Sequence, residues 1–222
     1  MKNLKLILGI LILTLTSQQS FSQEFTLDNK TITGVFDAKD QTKSEIFSSI
    51  NKWISLNYNS AQSVVQLNDK EAGNIIVKGV NEVVYKNVMK ELNPDNKYMQ
   101  EYNTIKFNHT IEINIKDNKY RVIYTLTDIV SEKTQIYNLD ELNKRVFEMI
   151  NLTGLKQEAV DNYNNFIDVM WGKARIKEEK REKMMGMTKP VFEEIIKDVR
   201  ANIKLTMADI DNTLNSSKNE DW

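Results

Sequence analysis

The sequence predicts an α+β fold. A β-α-β(4)-α domain carries an antiparallel sheet covered by helices, and a C-terminal αα-hairpin follows it. Three observations predict this. Residues 106–129 (KFNHTIEINIKDNKYRVIYTLTDI) alternate apolar and polar residues as two facing strands. Residues 42–54 place apolar side chains at helical spacing directly behind a capping signal. After residue 138 every apolar pattern has the helical period.

The chain opens with MKNLKLILGILILTLTSQQSFSQ. Lys2 and Lys5 form a basic region, Leu6 to Leu15 an apolar stretch too short for a membrane span, and Ser20-Phe21-Ser22 a small-x-small site. This layout predicts a signal peptide over 1–22, cleaved before Gln23, and an exported (periplasmic or secreted) protein of the bacterial cell envelope with no membrane span once the leader is removed. The chain has no cysteine, which excludes a thioether lipid anchor, disulfides and a cysteine nucleophile. Losing Lys2 and Lys5 with the leader takes the formal charge from −1 to −3, which gives no electrostatic reason to expect nucleic acid or anionic lipid.

The α+β domain is placed over 31–152. Residues 31–37 (TITGVFD) read as a short strand. Thr42 and Glu45 fit a capping box, and Ile46, Phe47, Ile50, Trp53 and Ile54 form the apolar stripe of the helix behind it. Trp53 is read as an anchor in the core. Residues 63–80 read as a hairpin: Val65 and Leu67 alternate with polar neighbours, 68–73 is a turn composition, and Ile75 and Val77 resume the alternation before Gly79. Residues 81–104 read as polar and irregular, with Tyr85, Val88, Met89 and Leu92 in a turn or two of helix and a turn at Pro94-Asp95.

The second hairpin is the most strongly specified. Phe107, His109, Ile111, Ile113 and Ile115 share one face, and Tyr120, Val122, Tyr124 and Leu126 share one on the return. A two-residue turn at Asp117-Asn118 sets Ile115 opposite Tyr120, Ile113 opposite Val122 and Ile111 opposite Tyr124, so both apolar sets face the same cover. Glu112, Asn114, Arg121, Ile123, Thr125 and Thr127 fall on the other face.

Asn138 with Glu141 resembles a cap for a helix carrying Leu139, Leu142, Val146, Met149 and Ile150, ended near Gly154. A helical extension is placed over 153–222. Val160, Tyr163, Phe166, Ile167, Met170 and Trp171 mark one helix, which runs into the mixed-charge block 173–183. MGMTKP (185–190) reads as a break, and Thr188 and Pro190 open a last helix with Phe192, Ile196, Val199, Ile203, Met207, Ile210 and Leu214 on its stripe. That stripe must be covered by the domain or by a partner helix. The tail NSSKNEDW is expected to fray.

The helix KSEIFSSINKWI, the hairpin QLNDKEAGNIIVKG and the strand–turn–strand IEINIKDNKYRVIYTLTDI resemble domain-of-unknown-function family 4468, exported bacterial domains with a TBP-like fold, over residues 32 to 130. The resemblance implies a TBP-like α+β domain and supplies no established catalytic residues to carry over. Asn118 stands where that family usually has a turn glycine. Fold analogy does not import DNA binding: the open-face residues make no basic saddle.

Chemistry is bounded by residue counts. His109 is the only histidine, and its parity places it in the core or at its rim; zinc held by several His or Cys ligands is excluded. Asp69 and Glu71 lack calcium-loop spacing, and Asp209 and Asp211 sit within a helical pattern. No phosphate-cradling glycine loop occurs. No catalytic, cofactor or metal residues are assigned. The expected function is a non-catalytic binding or interaction module for an envelope protein, a glycan or an apolar ligand. The alternative is a hydrolase using spatially paired carboxylates.

Overall fold

The computed structural model describes residues 24–130 and 139–217. The expected leader, the cap at Asn138 and the last residues of the tail lie outside the described residues. Strands β1 (Glu24–Leu27) and β2 (Thr31–Asp37) precede helix α1 (Lys43–Asn57) and a short α2 (Ala61–Val64). Then come β3 (Val65–Asp69), β4 (Asn74–Lys86), a short α3 (Val88–Glu91), β5 (Tyr102–Lys116) and β6 (Lys119–Ile129). Three helices follow: α4 (Leu139–Met149), α5 (Gln157–Lys173) and α6 (Glu178–Ser217). The strands form one six-stranded sheet in the order β1-β2-β6-β5-β4-β3, with every neighbouring pair antiparallel.

The central register is the one the sequence dictates: Ile115 lies opposite Tyr120, Ile113 opposite Val122 and Ile111 opposite Tyr124. All six side chains are buried. Of the two turn residues only Asn118 is left-handed, at φ 63°. Asp117 instead accepts the Lys43 backbone N–H at 2.7 Å. Asn118 donates its backbone N–H to the Gln41 carbonyl at 2.9 Å, and its own carbonyl accepts from Ala38 at 2.7 Å. The hairpin tip thereby clamps the start of α1, where Thr42 and Glu45 form the expected capping box. A carboxylate is favourable there because the first helical N–H groups have no partner within the helix.

Ile46, Phe47, Ile50, Trp53 and Ile54 of α1 are buried, and so are Phe192, Ile196, Val199, Ile203, Ile210 and Leu214 of α6. Both stripes join the sheet's inward residues in one core. The last helix is thus covered by its own chain, the first of the two covers the stripe required. On the opposite face of the sheet Glu112, Asn114, Arg121, Ile123, Thr125 and Thr127 are exposed or half-buried, as their parity predicts.

Three expectations are corrected. The sheet gains a sixth strand, β1, as an antiparallel edge beside β2. Residues 81–104 are not mainly irregular, because β4 runs on through Gly79 to Lys86 and pairs with β5 from Tyr102. Gly79 faces His109, and a Cβ there would lie 2.8 Å from the imidazole; the glycine makes room for a ring rather than ending a strand. The break expected at 185–190 is absent. α6 is continuous through Pro190, and the αα-hairpin turns at 174–177, where Arg175 is left-handed at φ 57°. Pro190 removes the N–H that would reach the Gly186 carbonyl, but both residues lie on the exposed face, where water can solvate that carbonyl. Met184, Thr188, Phe192 and Ile195 are buried on either side of the proline, and that continuous burial carries the helix across it.

Candidate functional site

β4 and β5 extend past the short edge strand β3, and beyond it their ends meet the helices α4, α5 and α6. A cavity of about 180 Å³ lies at this junction. From the strand side it is lined by Tyr85, Asn103, Ile105 and, on α3, Met89. Tyr163, Ile167 and Trp171 of α5 and Met184, Phe192 and Ile195 of α6 line the helix side. The lining contains no Asp, Glu, Lys, Arg or His.

Of its polar side chains, Asn103 reaches the Tyr85 oxygen, Trp171 carries an indole N–H, and the other four fall into two sets. Asn87 and Thr188 are engaged within the protein. Asn87 Oδ1 accepts the Met89 and Lys90 backbone N–H groups at 3.0 and 3.4 Å, and its Nδ2 donates to the Gln100 carbonyl at 2.9 Å. Thr188 donates its hydroxyl to Asn164 Oδ1 at 2.7 Å. Tyr85 and Tyr163 make up the second set. Burial pushes the Tyr163 phenol up to about 12, and the nearby Tyr85 adds to the rise. Burial also raises Tyr85, while a hydrogen bond from the Asn103 amide opposes it. Both phenols therefore present neutral O–H groups. The Tyr163 ring meets Phe192 edge-on, with centroids 5.4 Å apart. Such a site can enclose and orient a small molecule; it holds neither an activated nucleophile nor a general base.

The residues singled out in the sequence lie elsewhere. Trp53 is 2 % exposed and donates its indole N–H to Asp209 Oδ2 at 2.7 Å. Asp211 accepts the Tyr120 hydroxyl at 2.9 Å, so both helix carboxylates have protein partners. His109 is buried and stacked on Tyr124 with centroids 4.5 Å apart. Desolvation lowers its pKa to about 4, and neither ring nitrogen has a hydrogen-bond partner among the described residues. Asn81 donates to the Tyr124 hydroxyl at 3.3 Å beside it. Asp69 Oδ1 accepts the Ala72 N–H at 2.8 Å, as in an ordinary turn. Among the described residues no three His, Asp or Glu side chains come together as a metal site, and no helix is long and apolar enough to cross a membrane. The block 173–183 contains the hairpin turn and the start of α6, where Arg181 pairs with Asp168 at 2.7 Å.

The sequence did not point to the cavity. Tyr163 and Trp171 were legible only as members of an apolar stripe, and Tyr85 lay in the stretch expected to be irregular. No local signal brings these residues together.

Residues 33–132 match the model of a family described as a domain of unknown function (DUF4468) with TBP-like fold. A crystal structure of a DUF4468 family protein from Bacteroides ovatus ATCC 8483 is similar at 13% identity, covering 82% of this chain and 88% of that one, with a TM-score of 0.41. A TBP-like protein from Parabacteroides distasonis ATCC 8503 is similar at 15% identity, covering 82% and 92%, also with a TM-score of 0.41. No curated protein matches the chain. Over residues 33–132 the match agrees with the TBP-like α+β fold that the sequence resemblance implied.

Proposed function

We propose, for a fold whose matched family names no activity, that this chain is an exported, non-catalytic binding module of the bacterial cell envelope. Its ligand site is the cavity between the ends of β4 and β5 and the helices α5 and α6. The lining carries this reading: it is aromatic and aliphatic, with a few polar groups and no charge. A hydrolase of the paired-carboxylate kind needs two acidic groups facing its substrate, and this lining supplies none. Export rests on the basic, apolar and small-x-small order of residues 1–22.

Native mass spectrometry of the protein isolated from envelope extract tests the site. A small-molecule adduct is expected, and Val191→Trp, which projects a large side chain into the cavity, should abolish it. Absence of any adduct, or an adduct that survives Val191→Trp, counts against the site. N-terminal sequencing should begin at Gln23. Intact Met1 in soluble cytosolic protein would overturn export.

A further inference from the structure

We propose that the cavity takes an uncharged ligand with a compact apolar body, about the size of a two-ring aromatic, and one hydrogen-bond-accepting oxygen met by the hydroxyls of Tyr85 and Tyr163. This rests on the binding reading above and gives the ligand a chemical class.

Size comes first. The cavity measures about 180 Å³. An apolar cavity of about 150 Å³ accommodates a single benzene ring, so this one has room for somewhat more. A long acyl chain or an oligosaccharide exceeds it.

Charge comes second. An ionised ligand group would be taken out of water with no opposite charge in the lining to meet it. That is costly for a carboxylate and for an ammonium alike.

The hydroxyls decide the third property. The Asn103 amide hydrogen-bonds the Tyr85 oxygen, which leaves the Tyr85 O–H to donate elsewhere. Neither the Tyr85 nor the Tyr163 O–H has an acceptor among the described residues, and both side chains line the cavity. Asn87 and Thr188, which also border it, are already engaged within the protein. The two tyrosines therefore present donors, and the ligand atom that matches them is a carbonyl, ether or hydroxyl oxygen; the Trp171 indole adds a donor and the Asn103 carbonyl an acceptor elsewhere on the lining. A ligand with that oxygen gains over the bare hydrocarbon, because binding the hydrocarbon leaves the donors unpaired.

Three probes of one skeleton test this by equilibrium dialysis: 2-acetylnaphthalene, naphthalene and 2-naphthoate. The ketone should bind about tenfold tighter than naphthalene, as one good hydrogen bond gives. The carboxylate should bind weakest. Tyr85→Phe combined with Tyr163→Phe should erase the ketone's advantage and bring the affinities of ketone and naphthalene together, because no tyrosine donor is then left unpaired by the hydrocarbon. Val191→Trp should abolish binding of all three, with Ile195→Phe as the blocking variant if the first fails to fold. Equal affinity for ketone and hydrocarbon, a preference that survives the double tyrosine variant, or tightest binding of the carboxylate overturns the ligand class and leaves the cavity as a binding site. Failure of all three to bind, or binding indifferent to the blocking variants, overturns both.

Discussion

The Trp53 indole donates its N–H to the Asp209 carboxylate across 2.7 Å, joining the first long helix to the last. Two residues further along α6, Asp211 accepts the Tyr120 hydroxyl from the sheet at 2.9 Å. Residues two apart on a helix point about 200° apart, so the two carboxylates reach different neighbours. The pair that resembled a cation motif in the sequence instead joins α6 to α1 on one side and to β6 on the other.

Removing either end of the first bond should separate packing from hydrogen bonding. Trp53→Ala empties a core site and should cost about 3–5 kcal/mol. Asp209→Ala keeps the packing but leaves the indole N–H without its acceptor, at about 1–3 kcal/mol. Asp209→Asn retains an acceptor oxygen and should cost less than the alanine. Chemical denaturation midpoints measure all three. If Asp209→Ala and Asp209→Asn behave alike, the bond adds nothing to stability.

His109 should make stability depend on pH. Burial lowers its pKa from 6.5 to about 4, so the folded protein favours the neutral ring. Between those values the unfolded chain binds more protons, and stability rises with pH. The contribution is complete above about pH 6.5 and is lost as the pH falls toward 4, about 3 kcal/mol in all. His109→Phe should flatten this part of the profile, measured by denaturation at a series of pH values. A wild-type and variant profile of the same slope between pH 4 and 6.5 would show that the ring is not the cause.

The two faces of β5 should respond differently to charge. Ile113 is fully buried, and Ile113→Asp places an unpaired carboxylate in the core, at a cost of several kcal/mol. Asn114 on the open face accepts from Arg121 Nε and Nη2 at 3.0 and 2.7 Å and donates to Glu112 Oε1 at 2.9 Å, so Asn114→Asp gains beside the cation, loses beside the carboxylate, and on this solvated face should cost far less than Ile113→Asp. Equal losses in melting temperature would contradict this assignment of faces.

Much of this fold was legible because local signals agreed with one another. The alternation of Ile111, Ile113 and Ile115, a turn that tolerates a left-handed Asn118, and the Thr42–Glu45 box each specify the same central unit. The errors arose at residues whose usual meaning is reversed by distant partners. Gly79 read as a strand end until His109 is seen occupying the space its side chain would take. Val83 is buried and its neighbour Val84 is 53 % exposed, but two adjacent valines hide that alternation in the sequence. Pro190 read as a helix break, though it lies on the solvent side of a helix held by packing. The true turn at Arg175 carries no glycine, proline or asparagine to announce it. The cavity was not legible at all, because its walls come from the end of β4, the start of β5 and separate helices, and such convergence leaves no spacing in the chain.

The last prediction concerns the end of α6. Ile203, Met207, Ile210 and Leu214 are each at most 1 % exposed and belong to the core shared with the sheet. Full burial of an apolar side chain of this size contributes about 1.5–3 kcal/mol, so the four together contribute on the order of 6–12 kcal/mol. That matches the entire net stability of a typical domain, about 5–15 kcal/mol. Truncation after Asn202 also removes Asp209 and Asp211, and with them the acceptors of the Trp53 and Tyr120 bonds. It should therefore unfold the whole protein, not merely its C-terminal part. The check is circular dichroism with light scattering: the truncated chain should show no cooperative melt and should aggregate. A truncated chain that stays monomeric and melts at the full-length temperature would mean that α6 does not hold the sheet.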